Sequence, residues 1–295
     1  MLTGSMGALD EWLNPAAHQL IDLALEEDLG RGDVTTDALI PPTIEAKGRI
    51  VARKPLVLAG VAVAAEIFRR VEPTVSVVGR ASDGDPLSAG AVVLEVRGMA
   101  RGLLRAERVA LNFLQRLSGI ATLTRTYVEA AAGTKARIAD TRKTYPGARA
   151  LEKMAVIAGG GSNHRFDLGS GVLIKDNHRA VLPSIQAAVT EARAKVPHGL
   201  RIEVEVDTLA QFEEALAAGV DIILLDNFRN NDIAEAVRLA RGRSPRPLLE
   251  VSGGITLERV PVIARLGVDI ISVGALTHSA PAVDLALDLE VGSAP

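Results

Sequence analysis

Residues 202–226 read IEVEVDTLAQFEEALAAGVDIILLD, and the fold class turns on how they are parsed. Over Ile202–Asp207 apolar and acidic residues alternate, the period of a strand. Over Leu209–Ala218 apolar residues return every three or four positions, the period of a helix, and Gly219 stands where such a helix ends. A second apolar run, Ile222–Asp226, follows. Strand, helix and strand in one short stretch predict a parallel pair joined by a crossover helix.

The pattern continues on both sides. Strands are predicted near Ile138–Thr141, Val172–Lys175, Leu248–Ser252 and Ile270–Gly274. Helices are predicted over Ser184–Lys195, Asp232–Arg241 and Leu257–Leu266, with Gly242 and Gly267 at helix ends. Six βα units in a row point to a barrel. The alternative is an open doubly wound sheet, which more often shows a GxGxxG loop after its first strand; none occurs here. The strands end in DTRKT, KDNH, EVD, LDN, SGG and VGALTHS, and barrel chemistry is assembled from such strand ends.

The first hundred residues differ. Gly48–Leu58 and Ala91–Val96 read as strands, Val61–Val71 as a helix and Asp83–Gly90 as a turn-rich connection, which together suggest a separate small α/β domain. Leu103–Ala132 reads as one long or broken helix with Gly119 as a candidate break. Arg108 falls between Leu104 and Leu111 and is expected on its apolar stripe.

The 295 residues carry 33 basic and 36 acidic side chains, a net charge of −3, and are 48% hydrophobic. Such a chain has core enough for two domains and no bulk charge for nucleic acid or an anionic membrane. It contains no cysteine, which excludes disulfides, thiolate metal sites and cysteine nucleophiles. No window approaches the roughly 18 apolar residues of a membrane span. The opening MLTGSMG lacks a signal-peptide pattern and reads as a cloning scar or an upstream start with Met6 as an alternative, so a cytoplasmic location is expected. HExxH and GxSxG are missing too, which leaves zinc hydrolase and serine hydrolase chemistry without support.

Between Asp140 and His178, Arg142, Lys143, His164, Arg165 and Lys175 lie at the ends of apolar segments and beside Gly159–Gly161, with few acids nearby in sequence. Cations at the ends of buried strands need anions, because an unpaired buried charge costs on the order of several kcal/mol. The cluster therefore reads as a socket for a multiply charged anion. In EVEVD, Glu203, Glu205 and Asp207 share one strand face and would point inward, needing a metal or facing lysines; an edge strand with one wet face is the other reading. Glu205 and Asp226 together could hold a hard cation such as Mg²⁺ or accept from sugar hydroxyls. Ser252–Gly253–Gly254 before a helix, with Gly274 at the next strand end, fits a phosphate loop, against a simpler reading as two tight turns.

These residues carry a family resemblance. DTRKT–PG–R, EK–AV–GGG–NHR, LIKDNH, EVEVD, LLDN, SGGI and VGALTHS, in this order, resemble the quinolinate phosphoribosyltransferases, and EEDLGRGDVTTDALIP and RAERVALNFLQRLSGIAT extend the likeness over nearly the whole chain. The resemblance implies an α/β fold with an N-terminal α/β sandwich domain and interdomain helix over 1–118. It also implies an incomplete (β/α) barrel over 119–276, with the active site at the C-terminal ends of its strands, and a segment 277–295 returning to the N-terminal domain. It implies a homodimer with shared active sites, or a higher oligomer built from it. The implied reaction joins quinolinate to phosphoribosyl pyrophosphate, giving nicotinate mononucleotide, pyrophosphate and CO₂.

By the same resemblance Arg142, His164, Arg165 and Lys175 hold quinolinate, with Lys143 alongside and Arg108 arriving from the partner subunit. Glu205 and Asp226 hold the ribose hydroxyls and Mg²⁺, and Ser252, Gly253, Gly254 and Gly274 the 5′-phosphate. Lys143, Lys175, Glu205 and Asp226 form the implied catalytic set. Tyr145, Met154 and Ile157 depart from the family's usual residues without touching a motif charge. Two other readings compete: a phosphoribosyltransferase of the same fold acting on another acid, as in the molybdenum-locus relatives, and a non-catalytic barrel that senses a phosphorylated ligand. The full cation set favours a dicarboxylate over the first, and the presence of both Glu205 and Asp226 disfavours the second.

Overall fold

The computed structural model describes residues 12–291; MLTGSMG, with Met6, lies outside them. In chain order come α1 (Pro15–Leu29), α2 (Val34–Leu39), β1 (Glu45–Ala52), β2 (Leu56–Val57), α3 (Val61–Val71), β3 (Ser76–Gly79), β4 (Pro86–Leu87), β5 (Val92–Met99) and α4 (Ala100–Ala130). Then follow β6 (Arg137–Ala139), α5 (Arg149–Ala158), β7 (Val172–Ile174), α6 (Asp176–Arg179), α7 (Ile185–Lys195), β8 (Ile202–Val206), α8 (Leu209–Ala218), β9 (Ile222–Asp226) and α9 (Asn230–Arg241). The chain closes with β10 (Leu248–Ser252), α10 (Val260–Arg265), β11 (Ile270–Ser272), α11 (Ala275–His278) and β12 (Leu285–Val291).

Two compact units emerge. Among the described residues, one comprises 12–125, 144–160 and 276–291, the other 126–143 and 161–275. In the first, an antiparallel sheet of order β12-β1-β5-β3 is built on β1, which pairs with β5 on one side and with β12 on the other, Ile50 facing Leu287. Ile50, Leu94, Ile67, Phe68, Leu103 and Leu114 are buried in this unit.

The α4 helix runs unbroken through Gly119. A Cβ built at Gly119 would lie 2.1 Å from the carbonyl oxygen of Pro281, so glycine is required there by close backbone approach rather than by a helix break. Arg108 is exposed while Leu103, Ala106, Val109, Ala110 and Leu114 are buried. The expectation that it shares the apolar stripe is corrected: the buried face is set by the neighbours at 103, 106, 110 and 114, and Arg108 points away from it.

The second unit is a six-stranded sheet, parallel throughout, of order β6-β11-β10-β9-β8-β7. This is the strand order of a (β/α) barrel left open between its first and second strands. In β8 the faces divide as the alternation predicted for Glu203 and Glu205, which are buried together on the face opposite Ile202, Val204 and Val206; Asp207 just beyond the strand is exposed. Ser184 and Thr208 cap α7 and α8 by accepting from Ala187 and Gln211 backbone N–H groups, and Gly219 ends α8 at φ 68°. The last crossover helix starts at Val260 rather than Leu257 because Pro261, with no N–H to give, is accommodated only in a first helical turn.

Replacing Gly119 by alanine is expected to lower stability by about 2 kcal/mol, since overpacking against backbone outweighs the ~1 kcal/mol gain in helix propensity. Urea denaturation checks this, with a shifted midpoint and an unchanged slope.

Candidate active site

The open side of the barrel is where the site is assembled. The chain after Gly161 lies alongside β6: the Ser162 amide donates to the Ile138 carbonyl (2.8 Å) and the Asp140 amide to the Ser162 carbonyl (3.1 Å). Asp140, fully buried, accepts from the His164 amide at 2.8 Å. These bonds bring Arg142, at the end of β6, and His164 and Arg165, more than twenty residues later, to one cavity of about 560 Å³. Lys143, Lys175, Glu205, Asp226, Ser252, Gly253 and Gly254 also line it.

Arg142 and Arg165 each carry a buried Nε with no hydrogen-bond partner among the described residues. Arg165 donates through Nη1 to the Gly171 carbonyl at 2.9 Å. Burial, then the nearby charge of Arg142, press its pKa down, with Glu203 and Asp167 acting in the opposite sense. Two guanidinium groups that repel one another beside unpaired buried nitrogens form a site for an anion.

The opposite wall is acidic. Lys175 Nζ meets Glu205 Oε2 at 2.6 Å. The Asp226 carboxyl is pushed up, first by burial and then by the charges of Glu205 and Asp207, and accepts from Asn227 Nδ2 at 2.7 Å. Carboxylates held against one another in this way fit a hard cation at Glu205 and Asp226. Asn227 has φ 56° and donates its amide to the Ser252 carbonyl. A Cβ on Gly253, at φ 88°, would strike the Asn227 side chain at 2.2 Å, so glycine is required at 253, and Gly253 and Gly254 bring backbone to the cavity beside Ser252. Gly274 follows β11 and is not among the lining residues.

Beneath the cations lies a pair of buried acids. His164 Nδ1 accepts from the Arg165 amide at 2.8 Å, so Nε2 carries the ring hydrogen and faces Glu203 at 3.2 Å and Glu250 at 3.4 Å. The three are close enough to suggest a metal site, but a nitrogen that bears hydrogen has no lone pair for a cation. Burial, then the Glu203 charge, push Glu250 up to about 7, opposed by His164 and by the Ser272 hydroxyl that donates to it. Both ring nitrogens of His164 are thus engaged by the chain itself. The sequence neighbourhood of the cations is short of acids, yet the folded neighbourhood is not: Glu203, Glu205 and Glu250 come from distant strands.

The sequence models of the quinolinate phosphoribosyl transferase N-terminal and C-terminal domains match residues 33–118 and 120–288. The chain belongs to this family. It is 48% identical over 277 residues to the carboxylating nicotinate-nucleotide pyrophosphorylase of Mycobacterium leprae, covering 93% of this chain and 97% of that protein. It is 39% identical to the decarboxylating quinolinate phosphoribosyltransferase 1b of Nicotiana tabacum, covering 94% and 85%. The crystal structure of NadC from Streptococcus pyogenes superposes with a TM-score of 0.89 at 42% identity, over 94% of this chain and 97% of that one. The incomplete barrel is shared with that NadC structure.

Asp140, Glu250 and Asn227 escaped the sequence reading. Glu250 had a usable signal, an acid within the apolar run LLEVS, which a buried strand tolerates only with a partner. Asp140 reads as the polar end of a strand, and nothing local reveals that its partner is the His164 amide.

Raising the folded pKa of Glu250 means that its contribution to stability is fully present below about pH 4.5 and is lost as pH climbs through about 7. Glu250→Gln is expected to remove up to about 3 kcal/mol of this pH dependence. Urea midpoints of both proteins between pH 5 and 8 check it: the wild type should fall relative to the variant across that range.

Proposed function

We propose that the chain is a quinolinate phosphoribosyltransferase of de novo NAD biosynthesis, joining quinolinate and phosphoribosyl pyrophosphate to give nicotinate mononucleotide, pyrophosphate and CO₂. The observation that carries the substrate is the pair Arg142 and Arg165, each with an unpartnered buried Nε among the described residues, which suits the two carboxylates of quinolinate. Lys175 and Lys143 add charge at the same cavity, and His164 meets the substrate by its ring edge while its nitrogens hold the loop. Glu205 and Asp226 receive the ribose hydroxyls of the donor and a Mg²⁺ ion, and Ser252, Gly253 and Gly254 its 5′-phosphate; Gly274, outside the cavity lining, is left out of this assignment.

When bound, Mg²⁺ supplies charge that stabilises departing pyrophosphate. The cationic wall orients quinolinate so that its ring nitrogen faces the anomeric carbon, and the carboxylates of Glu205 and Asp226 sit where positive charge grows on the ribose. The C–O bond to pyrophosphate breaks as the C–N bond forms. The carboxylate beside the quaternised nitrogen then leaves as CO₂, its electron pair stays on the ring carbon next to a cationic nitrogen, and that carbon takes up a proton. No covalent enzyme intermediate is needed.

Incubation with both substrates and Mg²⁺ is expected to release CO₂ and nicotinate mononucleotide. Arg142→Ala and Arg165→Ala should each weaken quinolinate binding by about 2–5 kcal/mol and leave the sugar donor nearly unaffected. Asp226→Ala should lower turnover and blunt its Mg²⁺ dependence. Calorimetry and initial rates read these out, and quinolinate affinity unaltered in both arginine variants would remove the substrate assignment.

The protein works, on this reading, as a cytoplasmic homodimer whose sites take Arg108 from the partner subunit. Exposure of Arg108 on α4 is compatible with that delivery. Mixing inactive Arg108→Ala and Lys175→Ala proteins should recover roughly a quarter of wild-type activity under free subunit exchange, because half the dimers carry one intact site. Proven exchange without recovery would place Arg108 in its own subunit's site.

A further inference from the structure

The N-terminal ends of the barrel strands, the end away from the Glu205 and Asp226 cavity, hold a second concavity of about 840 Å³. Five arginines from separate points in the chain converge on it. Arg137 opens β6, Arg193 lies in the last turn of α7, Arg201 precedes β8, and Arg243 and Arg246 sit between α9 and β10. The lining contains a single acid, Asp221, whose Oδ2 already accepts from the Ile202 amide at 2.8 Å.

Two of the arginines are tied down. Arg246 grips Asp269 with both terminal nitrogens, at 3.2 and 2.8 Å, and Arg193 donates to the Gly219 carbonyl. Pro245 and Pro247 flank Arg246 and restrict the loop that carries it. Arg137, Arg201 and Arg243 are exposed and have no acid within ion-pair reach among the described residues. Helix C-termini also face this end, those of α7, α8 and α9, but each offers only about half a negative charge. A positive surplus remains on a chain whose net charge is −3.

Free guanidinium groups around a rigid floor match ligands whose oxygens are clustered and multiply charged, since each planar fork takes two oxygens at once. A concavity rather than a stripe argues for a compact anion over a nucleic acid backbone. We propose that this concavity is a second anion site, separate from the catalytic cavity, which takes a linked polyphosphate on Arg137, Arg201 and Arg243. The ligand is either free polyphosphate or the phosphate tail of a nucleotide.

On the proposed function the catalytic cavity also takes phosphate groups, so the test counts sites. Calorimetric titration of the full-length protein with sodium tripolyphosphate at low salt should show two molecules per chain. The Arg137→Ala/Arg201→Ala/Arg243→Ala variant should show one, the other weakened at least tenfold, with kcat and KM for both substrates within twofold of wild type. Arg243→Lys, which keeps the charge and loses the fork, should weaken the second site several-fold and serves if the triple variant folds poorly. ATP binding as tightly as tripolyphosphate, with adenosine inert, would identify a nucleotide tail as the source; preference for tripolyphosphate would identify the free anion. Identical isotherms for wild type and both variants would overturn the proposal. So would altered self-association of the triple variant with tripolyphosphate binding intact, which would make this face a contact between copies.

Discussion

The hydrogen bond from the His164 amide to the buried Asp140 carboxylate is the contact on which the site depends. It fastens a segment that follows a glycine-rich turn to the end of β6, at the edge where the barrel is open. Only with that segment in place do Arg142 and Arg165 face one another, and only then does His164 reach the buried acids of β8 and β10. A buried carboxylate is costly unless its acceptors are used, so the energy that makes Asp140 demanding also makes the loop position specific.

Charge in the cavity is sorted rather than neutralised. The guanidinium groups occupy one wall and the carboxylates of Glu205 and Asp226 the other, where Lys175 pairs with Glu205. Mixed pairing throughout would stabilise the empty cavity and leave little for a ligand. Segregation leaves an excess of each sign, which is the electrostatic form suited to a dianionic acid on one side and a sugar phosphate with its cation on the other. Glu203 and Glu250 lie outside this sorting. They sit below the cations, and the raised pKa of Glu250 shows that the barrel interior tolerates one of them best when it holds a proton.

Family membership, resting on matches over 33–118 and 120–288, agrees with a reading that began from the periodicity of residues 202–226. The βα alternation was legible because its crossover helices are amphipathic and its strands end in polar residues at one edge. Helix α5 was not, since its polar residues Glu152 and Lys153 are buried while Ile157 is exposed, so polarity along it does not mark the wet face. The β3 strand is short and half-exposed, too weak a pattern to separate from a loop.

Sequence alone determined the parallel βα succession, the absence of thiol chemistry, and the identity of the charged residues at strand ends, because each is a matter of local period or composition. Tertiary structure decided what those charges meet. The pairing of Lys175 with Glu205, the burial of Glu250 beside His164 and the outward face of Arg108 are set by the order of strands and the packing of α4. Coulomb energy and desolvation depend on distance through space, and distance between strands far apart in the chain exists only once the sheet has formed.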